Sequence, residues 1–447
     1  MDVPAEKTAG ISAPAEALGP RRIAISLLDQ VLGRRQALDA VLETDKDFVA
    51  LHARDKAFVR MVVATSLRRL GQLDDMIMRA SDKAEPPRPL QLHNLLRMAA
   101  AQIAFMAIPD YAVVDTAVRL AEELGMSRQK GFVNAALRRV AENCRTWLSQ
   151  QDEVRLNIPD WLMRIWIADY GLRTAAEIGQ ACLSEAPLDI SLKDPNTLAH
   201  WMHALDAAAL PTGTLRRAEG GAVHKLPGFD DGMWWVQDAA AALPAKLFGD
   251  VTGRTVVDMC AAPGGKTAQF ASMGAQVTAL DRSTTRLKRL QENIARLRLG
   301  DMVAIETADA AEWKPREAPE LILLDAPCTA TGTARRHPDV VHLKMPLDME
   351  RLMEVQARLL DNAAAVLAPG GLLVYCTCSL QKAESEQQVE ALLARNNQMR
   401  RLPVASLEAG GLDALITPQG DIRALPFHMA AHGGMDGFYA ARLQKIS

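Results

Sequence analysis

The sequence lacks the cysteine arrangements that are typical of disulfide-rich and zinc-binding proteins. Its six cysteines are Cys144, Cys182, Cys260, Cys328, Cys376 and Cys378. None of them forms a CxxC pair, so neither a zinc ribbon nor a thioredoxin-type site is indicated. Their spacing also does not match the disulfide framework of a small secreted domain.

The sequence has little net charge and no long hydrophobic run. Its formal net charge is −3, so attraction to nucleic acid has to come from local basic patches. No window approaches the roughly 20 apolar residues of a membrane span, and no basic segment followed by an apolar core opens the chain. We therefore expect a cytoplasmic protein with reduced thiols and no contact with a membrane.

Length and composition predict a multidomain protein. A chain of 447 residues exceeds the usual size of a single domain core. Shifts in the pattern along the chain predict four segments. They are a loose tail over residues 1–19, an all-α bundle over residues 20–150, a small α+β subdomain over residues 151–250 and an α/β domain over residues 251–447.

The second segment shows helical periodicity throughout. Apolar residues recur at helical spacing from Ile23 to Val140, with no β-run between them. Residues 55–60, 109–114 and 130–138 resemble the NusB-like RNA-binding module. This resemblance implies that the bundle binds RNA, and a helical scaffold that binds none is the alternative.

The third segment mixes helical and alternating patterns. Residues 188–192 alternate like a strand, and residues 198–205 have helical spacing. The adjacent Trp234 and Trp235 suit either stacking on bases or burial in a core, and we expect burial.

The fourth segment opens with the stretch that is most informative about function. Residues 256–267 are Val-Val-Asp-Met-Cys-Ala-Ala-Pro-Gly-Gly-Lys-Thr. They predict a buried strand, a tight glycine turn and a helix whose first N–H groups face a ligand. The spacing matches neither the dinucleotide fingerprint nor the Walker A loop, so a pyrophosphate is not indicated. Taken alone, Gly264-Gly265 fits a simple tight connection equally well.

Later strands of this segment end in carboxylates or cysteines. Asp281, Asp309 and Asp325 follow three apolar runs, and two cysteines follow a fourth. Helical stretches alternate with these runs, which predicts a doubly wound parallel sheet with its ligands at the carboxyl ends of the strands. Asp281 lies 23 residues after Asp258, close to the interval of an acid that binds a ribose hydroxyl, although a helix cap is the alternative. We expect these groups to converge on one crevice.

Three blocks of this segment, residues 258–267, 325–332 and 377–379, carry a second resemblance. They resemble the S-adenosylmethionine-dependent RNA 5-methylcytosine methyltransferases, and the NusB-like module narrows this to bacterial small-subunit rRNA members. The resemblance implies a class I, Rossmann-like methyltransferase domain. It also implies small-subunit rRNA or its assembly intermediate as substrate, with no metal ion and no obligate protein partner.

The same resemblance implies roles for individual residues. Cys378 would be the nucleophile, Cys328 would help to release the methylated base, and Asp325 would bind the nitrogen edge of the ring. The residues implied for S-adenosylmethionine are Cys260, Ala261, Ala262, Pro263, Gly264, Gly265, Lys266, Asp281, Asp309 and Asp325. We also expect Arg335 and Arg336 to hold phosphates that flank the target base.

The chemistry explains why a thiol is needed. Carbon 5 of cytosine is a poor nucleophile, but addition of a thiolate to carbon 6 makes the ring an enamine that is nucleophilic at carbon 5. A free thiol has a pKa near 8.5, so its surroundings have to activate it. After methylation the proton on carbon 5 must leave before the thiolate is expelled, and a second thiol can assist.

The sequence departs from the family pattern at three places, and two rival functions remain. Cys376 adds a third thiol on the same side of the strand as Cys378, residues 382–384 replace a Pro-Glu-Glu turn, and residues 191–193 are Ser-Leu-Lys where relatives often carry Arg-Val-Asn. One rival is a non-catalytic RNA-binding protein, against which the presence of both Cys328 and Cys378 argues. The other is a DNA cytosine methyltransferase, whose nucleophile would follow Pro327.

Overall fold

The computed structural model describes residues 18–81, 85–218 and 220–446. The helices are α1 Leu18–Leu28, α2 Leu38–Thr44, α3 Lys46–Ala50, α4 Ala53–Arg68, α5 Leu70–Ser81, α6 Leu90–Phe105, α7 Asp110–Glu123, α8 Lys130–Gln150, α9 Glu153–Asn157, α10 Asp160–Tyr170, α11 Leu172–Cys182, α12 Leu198–Ala204, α13 Leu243–Lys246, α14 Gly265–Ser272, α15 Thr284–Arg296, α16 Val340–Leu343, α17 Pro346–Val366 and α18 Glu386–Arg395.

Twelve strands lie in the same described residues. They are β1 Leu188–Leu192, β2 Ala208–Ala209, β3 Leu215–Arg217, β4 Trp234–Val236, β5 Thr255–Met259, β6 Gln276–Asp281, β7 Val303–Thr307, β8 Leu321–Asp325, β9 Leu372–Thr377, β10 Met399–Arg401, β11 Ile422–Ala424 and β12 Phe438–Lys445. No helix in this part of the chain is both long enough and apolar enough to cross a membrane.

The chain forms two compact units. One contains the residues up to Asp160 together with His337–Leu343, and the other contains Trp161–Arg336 and Lys344–Ser447. The segment boundaries that the sequence predicts near residues 150 and 250 stay a prediction. Residues 1–17 of the predicted tail lie outside the described residues, and the prediction was wrong for Leu18 and Gly19, which begin α1.

The first unit is helical, as predicted. Its helices α1 to α8 pack on a core that consists mainly of Leu, Val, Ile and Ala side chains. Helix α6 is buried on most of its surface, which is typical of a central helix that neighbours surround. Its one buried guanidinium, Arg97, forms two hydrogen bonds of 2.7 and 2.6 Å with Asp74, so the buried charge is paired.

The second unit is built on a large mixed sheet. Its strand order is β10-β12-β9-β8-β5-β6-β7, with β11 paired to β12. The five strands from β9 to β7 are parallel, as predicted. The sheet becomes mixed at the other edge, where β12 runs antiparallel to β9 and to β10.

Both faces of this sheet are covered, because alternate side chains point to opposite faces of a strand. Val256 joins the core on one face, and Val257 joins the core on the other. The strand order reverses between β5 and β8, so the carboxyl ends of these two strands flank the position where ligands bind in such sheets.

A small antiparallel sheet, β2-β3-β1-β4, precedes the large one. Trp234 and Trp235 lie in β4 with 0% and 5% of their surface exposed. The prediction of burial is confirmed, and neither ring offers a face for base stacking.

Candidate active site

The glycine turn follows β5, as the sequence predicts. Gly264 has a φ of +101°, and an added Cβ there would lie 2.8 Å from Cγ of Leu290. Both observations require glycine at this position. The N–H of Ala261 donates to the carbonyl of Leu280 at 2.8 Å, which fixes the turn against the end of β6. Helix α14 then begins at Gly265.

Asp281 lies at the end of β6 beside this turn. Its carboxylate is 2% exposed. Oδ1 accepts the N–H of Ser283 at 2.9 Å, while Oδ2 accepts the N–H of Ala262 at 3.3 Å and pairs with Arg286 at 3.0 Å. Sequence reasoning missed Arg286, because its exposed helix is typical of a solvated basic face. Asp309 is exposed after β7 and caps a local turn through the N–H of Ala311 at 2.9 Å.

Lys266 and Asp325 form an ion pair across the ends of β5 and β8. Nζ of Lys266 lies 2.7 Å from Oδ2 of Asp325 and 4.9 Å from the ring centre of Phe438. Burial alone would lower the pKa of Lys266, but the Asp325 carboxylate outweighs burial and raises it, so Lys266 is a cation at neutral pH. The other oxygen of Asp325 accepts the Cys376 thiol at 3.5 Å. Burial, followed by the Asp325 charge, raises the pKa of Cys376 well above its usual value.

The residues around the turn fit S-adenosylmethionine by the chemistry of their donors and acceptors. Oδ1 of Asp281 carries one hydrogen bond and so retains a lone pair for a ribose hydroxyl. Gly265 and Lys266 start a helix, whose first N–H groups have no partner within the helix and favour a carboxylate. The thiol of Cys260 stays neutral here, because burial and then the Asp281 charge raise its pKa to about 12.

The sulfur atoms of Cys328 and Cys378 lie 3.5 Å apart. Both residues are half-buried and follow the ends of β8 and β9. Gly332 joins the two loops, because its N–H donates to the carbonyl of Cys378 at 2.9 Å. The hydrogen bond with Cys378, together with burial, raises the pKa of Cys328 well above its usual value. The spare thiol of Cys376 donates its hydrogen bond to Asp325 instead of to either of these two cysteines.

The structure does not support a phosphate-binding role for Arg335 and Arg336. Arg335 is only 2% exposed, and its guanidinium donates to the carbonyl of Gly433. Arg336 pairs with Asp238 at 2.7 Å and with Asp436 at 3.1 Å. The prediction was wrong because those acids are far away in the sequence, so the short basic run alone gives no sign that it is neutralised.

Sequence reasoning also missed a buried polar cluster behind the two cysteines. Its members are Thr329, Gln356, Ser379, Gln381 and Glu384. These are common surface residue types, and only residues 382–384 attracted attention in the sequence, as a replacement of a Pro-Glu-Glu turn. Burial of the whole cluster is a result of tertiary packing.

Comparisons with known proteins agree with this geometry. The family model of the 16S rRNA methyltransferases RsmB/F matches residues 247–444, and that of the NusB family matches residues 19–142. Ribosomal RNA small subunit methyltransferase B of Vibrio cholerae is 33% identical over 439 residues, covering 95% of this chain and 97% of its own length. The protein of the same name from Xylella fastidiosa is 34% identical over 446 residues, covering 96% and 99%.

Two solved structures share the fold. The crystal structure of PH0851 covers 98% of this chain and 100% of its own, with a TM-score of 0.76 at 22% identity. The structure of NSun6 from Pyrococcus horikoshii with SFG covers 65% of this chain and 98% of its own, with a TM-score of 0.56 at 19% identity. The sequence relatives cover nearly the whole chain at more than 30% identity. The chain therefore belongs to the RsmB/F family of 16S rRNA methyltransferases, and S-adenosylmethionine is its methyl donor.

Proposed function

We propose that this chain methylates carbon 5 of a cytidine in 16S rRNA through a covalent bond between Cys378 and carbon 6 of the ring. The observation that supports this most is the approach of two thiols, Cys328 and Cys378, to 3.5 Å. The ion pair between the buried Lys266 and the half-buried Asp325 lies at the end of the neighbouring strand. Methylation at a ring nitrogen or at a ribose would need neither thiol.

The cofactor lies on the turn after β5 in this proposal. The turn residues are Cys260, Ala261, Ala262, Pro263, Gly264, Gly265 and Lys266. Asp281 accepts a hydrogen bond from a ribose hydroxyl of the cofactor, and Asp309 binds the adenine end of the cofactor. Asp325 lies on the side of the crevice that receives the target cytosine. When bound, S-adenosylmethionine supplies the methyl group that carbon 5 receives.

Cys378 starts the reaction as a thiolate that accepts the hydrogen bond of the Cys328 thiol. Its attack forms the bond between sulfur and carbon 6 and moves the electrons of the C5–C6 double bond into the ring. Asp325 accepts a hydrogen bond from the nitrogen edge of the ring. The cation of Lys266, held by Asp325 at 2.7 Å, offsets the added negative charge.

Cys328 acts after carbon 5 has received its methyl group. Bonding of Cys378 to the ring removes the thiolate that kept Cys328 protonated, so Cys328 can then lose its proton to solvent. The Cys328 thiolate takes the proton from carbon 5. The electrons of that C–H bond restore the double bond, and Cys378 leaves as a thiolate. Both cysteines return to their starting protonation states.

The helical unit binds the RNA in this proposal and contributes no chemistry. Its match to the NusB family over residues 19–142 supports this division. The described residues of the chain also contain no cluster of His, Cys, Asp and Glu that could hold a metal ion.

Tritium release tests the proposed reaction. Methylation at carbon 5 expels the hydrogen of that carbon, so 16S rRNA that carries 5-tritiated cytidine should release tritium to water in proportion to the methyl groups transferred. A DNA strand of the same sequence is the matched control and should release none. Methyl transfer to the rRNA without tritium release would place the modification on another atom and refute the proposal.

A further inference from the structure

The side chain of Glu384 is a buried carboxylate close to the two active-site thiols. It is fully buried, with 0% of its surface exposed. Among the described residues, no cationic side chain lies within ion-pairing distance of it. Four neutral donors hold it instead, two on each oxygen, which satisfies the lone pairs of a charged carboxylate.

These donors belong mainly to the two cysteine loops. Oε1 accepts the N–H of Thr329 at 2.9 Å and Nε2 of Gln356 at 3.1 Å. Oε2 accepts the hydroxyl of Ser379 at 2.6 Å and the hydroxyl of Thr329. Thr329 directly follows Cys328, and Ser379 directly follows Cys378. One carboxylate therefore holds the residue after each thiol.

Two further contacts fix the carboxylate and the first loop. Nε2 of Gln356 also donates to the carbonyl of Pro327 at 2.9 Å, so the loop is held on both sides of Cys328. The hydroxyl of Tyr375 donates to the backbone carbonyl of Glu384 at 2.7 Å. Because Tyr375 lies in β9, Glu384 is anchored to the sheet that carries Cys378.

We propose that Glu384 is a positioning residue, which clamps the loops of Cys328 and Cys378 and so sets the close approach of the two thiols. This inference rests on the proposed function, in which the two cysteines have different tasks at one carbon–carbon bond of the cytosine. The clamp holds the Cys328 thiol where it can donate to Cys378 before the attack. It keeps the same group beside carbon 5 for the release.

The charge of Glu384 gives the clamp a second effect. The hydrogen bond with Cys378 contributes most to the raised pKa of Cys328, burial comes next, and the charges of Cys378 and Glu384 add to them. Glu384 thus helps to keep Cys328 protonated.

Glu384→Gln in the full-length protein tests the clamp. The amide has nearly the same shape, but its NH2 group points at donors and cannot accept from them. We expect diamide, a two-electron oxidant that takes both thiol hydrogens, to form the Cys328–Cys378 disulfide about tenfold or more slowly, as expected when buried hydrogen bonds are lost. The pH at which iodoacetamide alkylates Cys328 should fall, and mass spectrometry of the two peptides measures both effects.

Asp421→Asn is the matched control. Asp421 is also a buried carboxylate of this unit, 1% exposed, and accepts the Tyr439 hydroxyl at 2.6 Å without touching either cysteine loop. This variant should cross-link and alkylate like the wild type. Equal slowing in both variants would assign the effect to general destabilisation and overturn the proposal, as would unchanged rates in Glu384→Gln.

A second pair of variants serves if Glu384→Gln does not fold. Thr329→Val removes one donor at nearly constant shape, whereas Thr329→Ser keeps the hydroxyl. The valine variant should slow cross-linking, and the serine variant should restore it; equal rates in the two would refute the clamp. These readouts need no RNA, so they remain valid if the tritium experiment fails, and the two proposals can fail separately.

Discussion

Two chemically identical side chains, Cys328 and Cys378, have different electrostatic surroundings. The hydrogen bond with Cys378, burial and the charge of Glu384 raise the pKa of Cys328 well above its usual value. A third thiol, Cys376, is fully buried against Asp325. The sequence predicts these three thiols at the ends of two strands, but only the contacts around each sulfur distinguish them.

The three cysteines should therefore respond differently to replacement by alanine. Cys378→Ala should form no covalent RNA complex and lose turnover, because no thiolate adds to carbon 6. Cys328→Ala should still attack and methylate but release slowly, so a protein–RNA complex should accumulate and survive denaturing electrophoresis. Cys376→Ala is the control and should keep turnover. A complex trapped in Cys378→Ala but absent in Cys328→Ala would make Cys328 the nucleophile.

Asp258 is a buried carboxylate in β5, the strand that precedes the glycine turn, and it makes the stability of the fold depend on pH. Burial raises its pKa to about 7, although the Thr267 hydroxyl at 2.6 Å partly offsets burial. An unfolded aspartate has a pKa near 3.9. The folded state therefore holds the proton more tightly, and this group makes the free energy of unfolding fall as pH rises from about 4 to about 7.

Asp258→Asn should remove this pH dependence, because the amide is neutral at every pH and still accepts from Thr267. Chemical denaturation at several pH values should show a flatter profile than the wild type and, above pH 7, a gain of at most about 4 kcal/mol. The exposed Asp301→Asn is the control and should follow the wild type. A wild-type slope in Asp258→Asn would mean that Asp258 ionises normally.

At the scale of elements, the sequence predicts the parallel part of the sheet well and its antiparallel edge poorly. Each of the strands β5, β6, β8 and β9 is buried on both faces and reads as a short apolar run that ends in a functional group, so its position follows from the pattern. The strands β10 and β11 have three residues each. Runs of that length carry no usable periodicity.

Gly332, in the turn at residues 331–333, allows the loop after Cys328 to lie close to the backbone of Cys378 and Gly437. An added Cβ at Gly332 would lie 2.1 Å from the carbonyl oxygen of Gly437 and 2.8 Å from that of Cys378. Both atoms belong to the backbone, so they cannot move aside easily. Gly332→Ala should therefore lower the free energy of unfolding by about 1–3 kcal/mol, as overpacking does.

Activity of Gly332→Ala should fall as well, because the displaced backbone carries Cys378. Thermal denaturation and tritium release measure the two effects. Gly300→Ala is the matched control, since an added Cβ there meets nothing within 4 Å, and it should behave like the wild type. Wild-type stability and activity in Gly332→Ala would show that the two loops tolerate separation.

At the scale of the whole molecule, the limits of sequence reasoning concern pairings between distant segments. The resemblance at residues 377–379 points to Cys378, but nothing local pairs Arg336 with Asp238 and Asp436, which lie 98 and 100 residues away. The pair Arg335-Arg336 was therefore predicted to bind RNA, although Arg336 forms internal ion pairs and Arg335 is buried against backbone carbonyls. Glu384 was missed for the same reason, since its partners come from three separate segments.

The division of the chain into two units also depends on contacts between segments that are distant in the sequence. His337–Leu343 follows the Cys328 loop in the sequence but folds as part of the helical unit. Within that unit, Oδ2 of Asp339 accepts the N–H of Leu38 at 2.9 Å, and Nε2 of His342 lies 2.9 Å from the carbonyl of Leu67. This segment therefore contributes hydrogen bonds to helices that precede it by about 300 residues.

Asp339→Ala should weaken the helical unit although residue 339 lies within the methyltransferase part of the sequence. The change leaves the N–H of Leu38, at the start of α2, without its buried acceptor, which costs about 1–3 kcal/mol. Hydrogen exchange measured by mass spectrometry should become faster in α2 and stay unchanged in β5 and β6. Asp348→Ala, which removes only an exposed cap of α17, is the control and should leave α2 unchanged. Unchanged exchange in α2 of Asp339→Ala would mean that residues 337–343 belong to the helical unit without stabilising it, whereas faster exchange there would show that the stability of this unit depends on a segment about 300 residues away in the sequence.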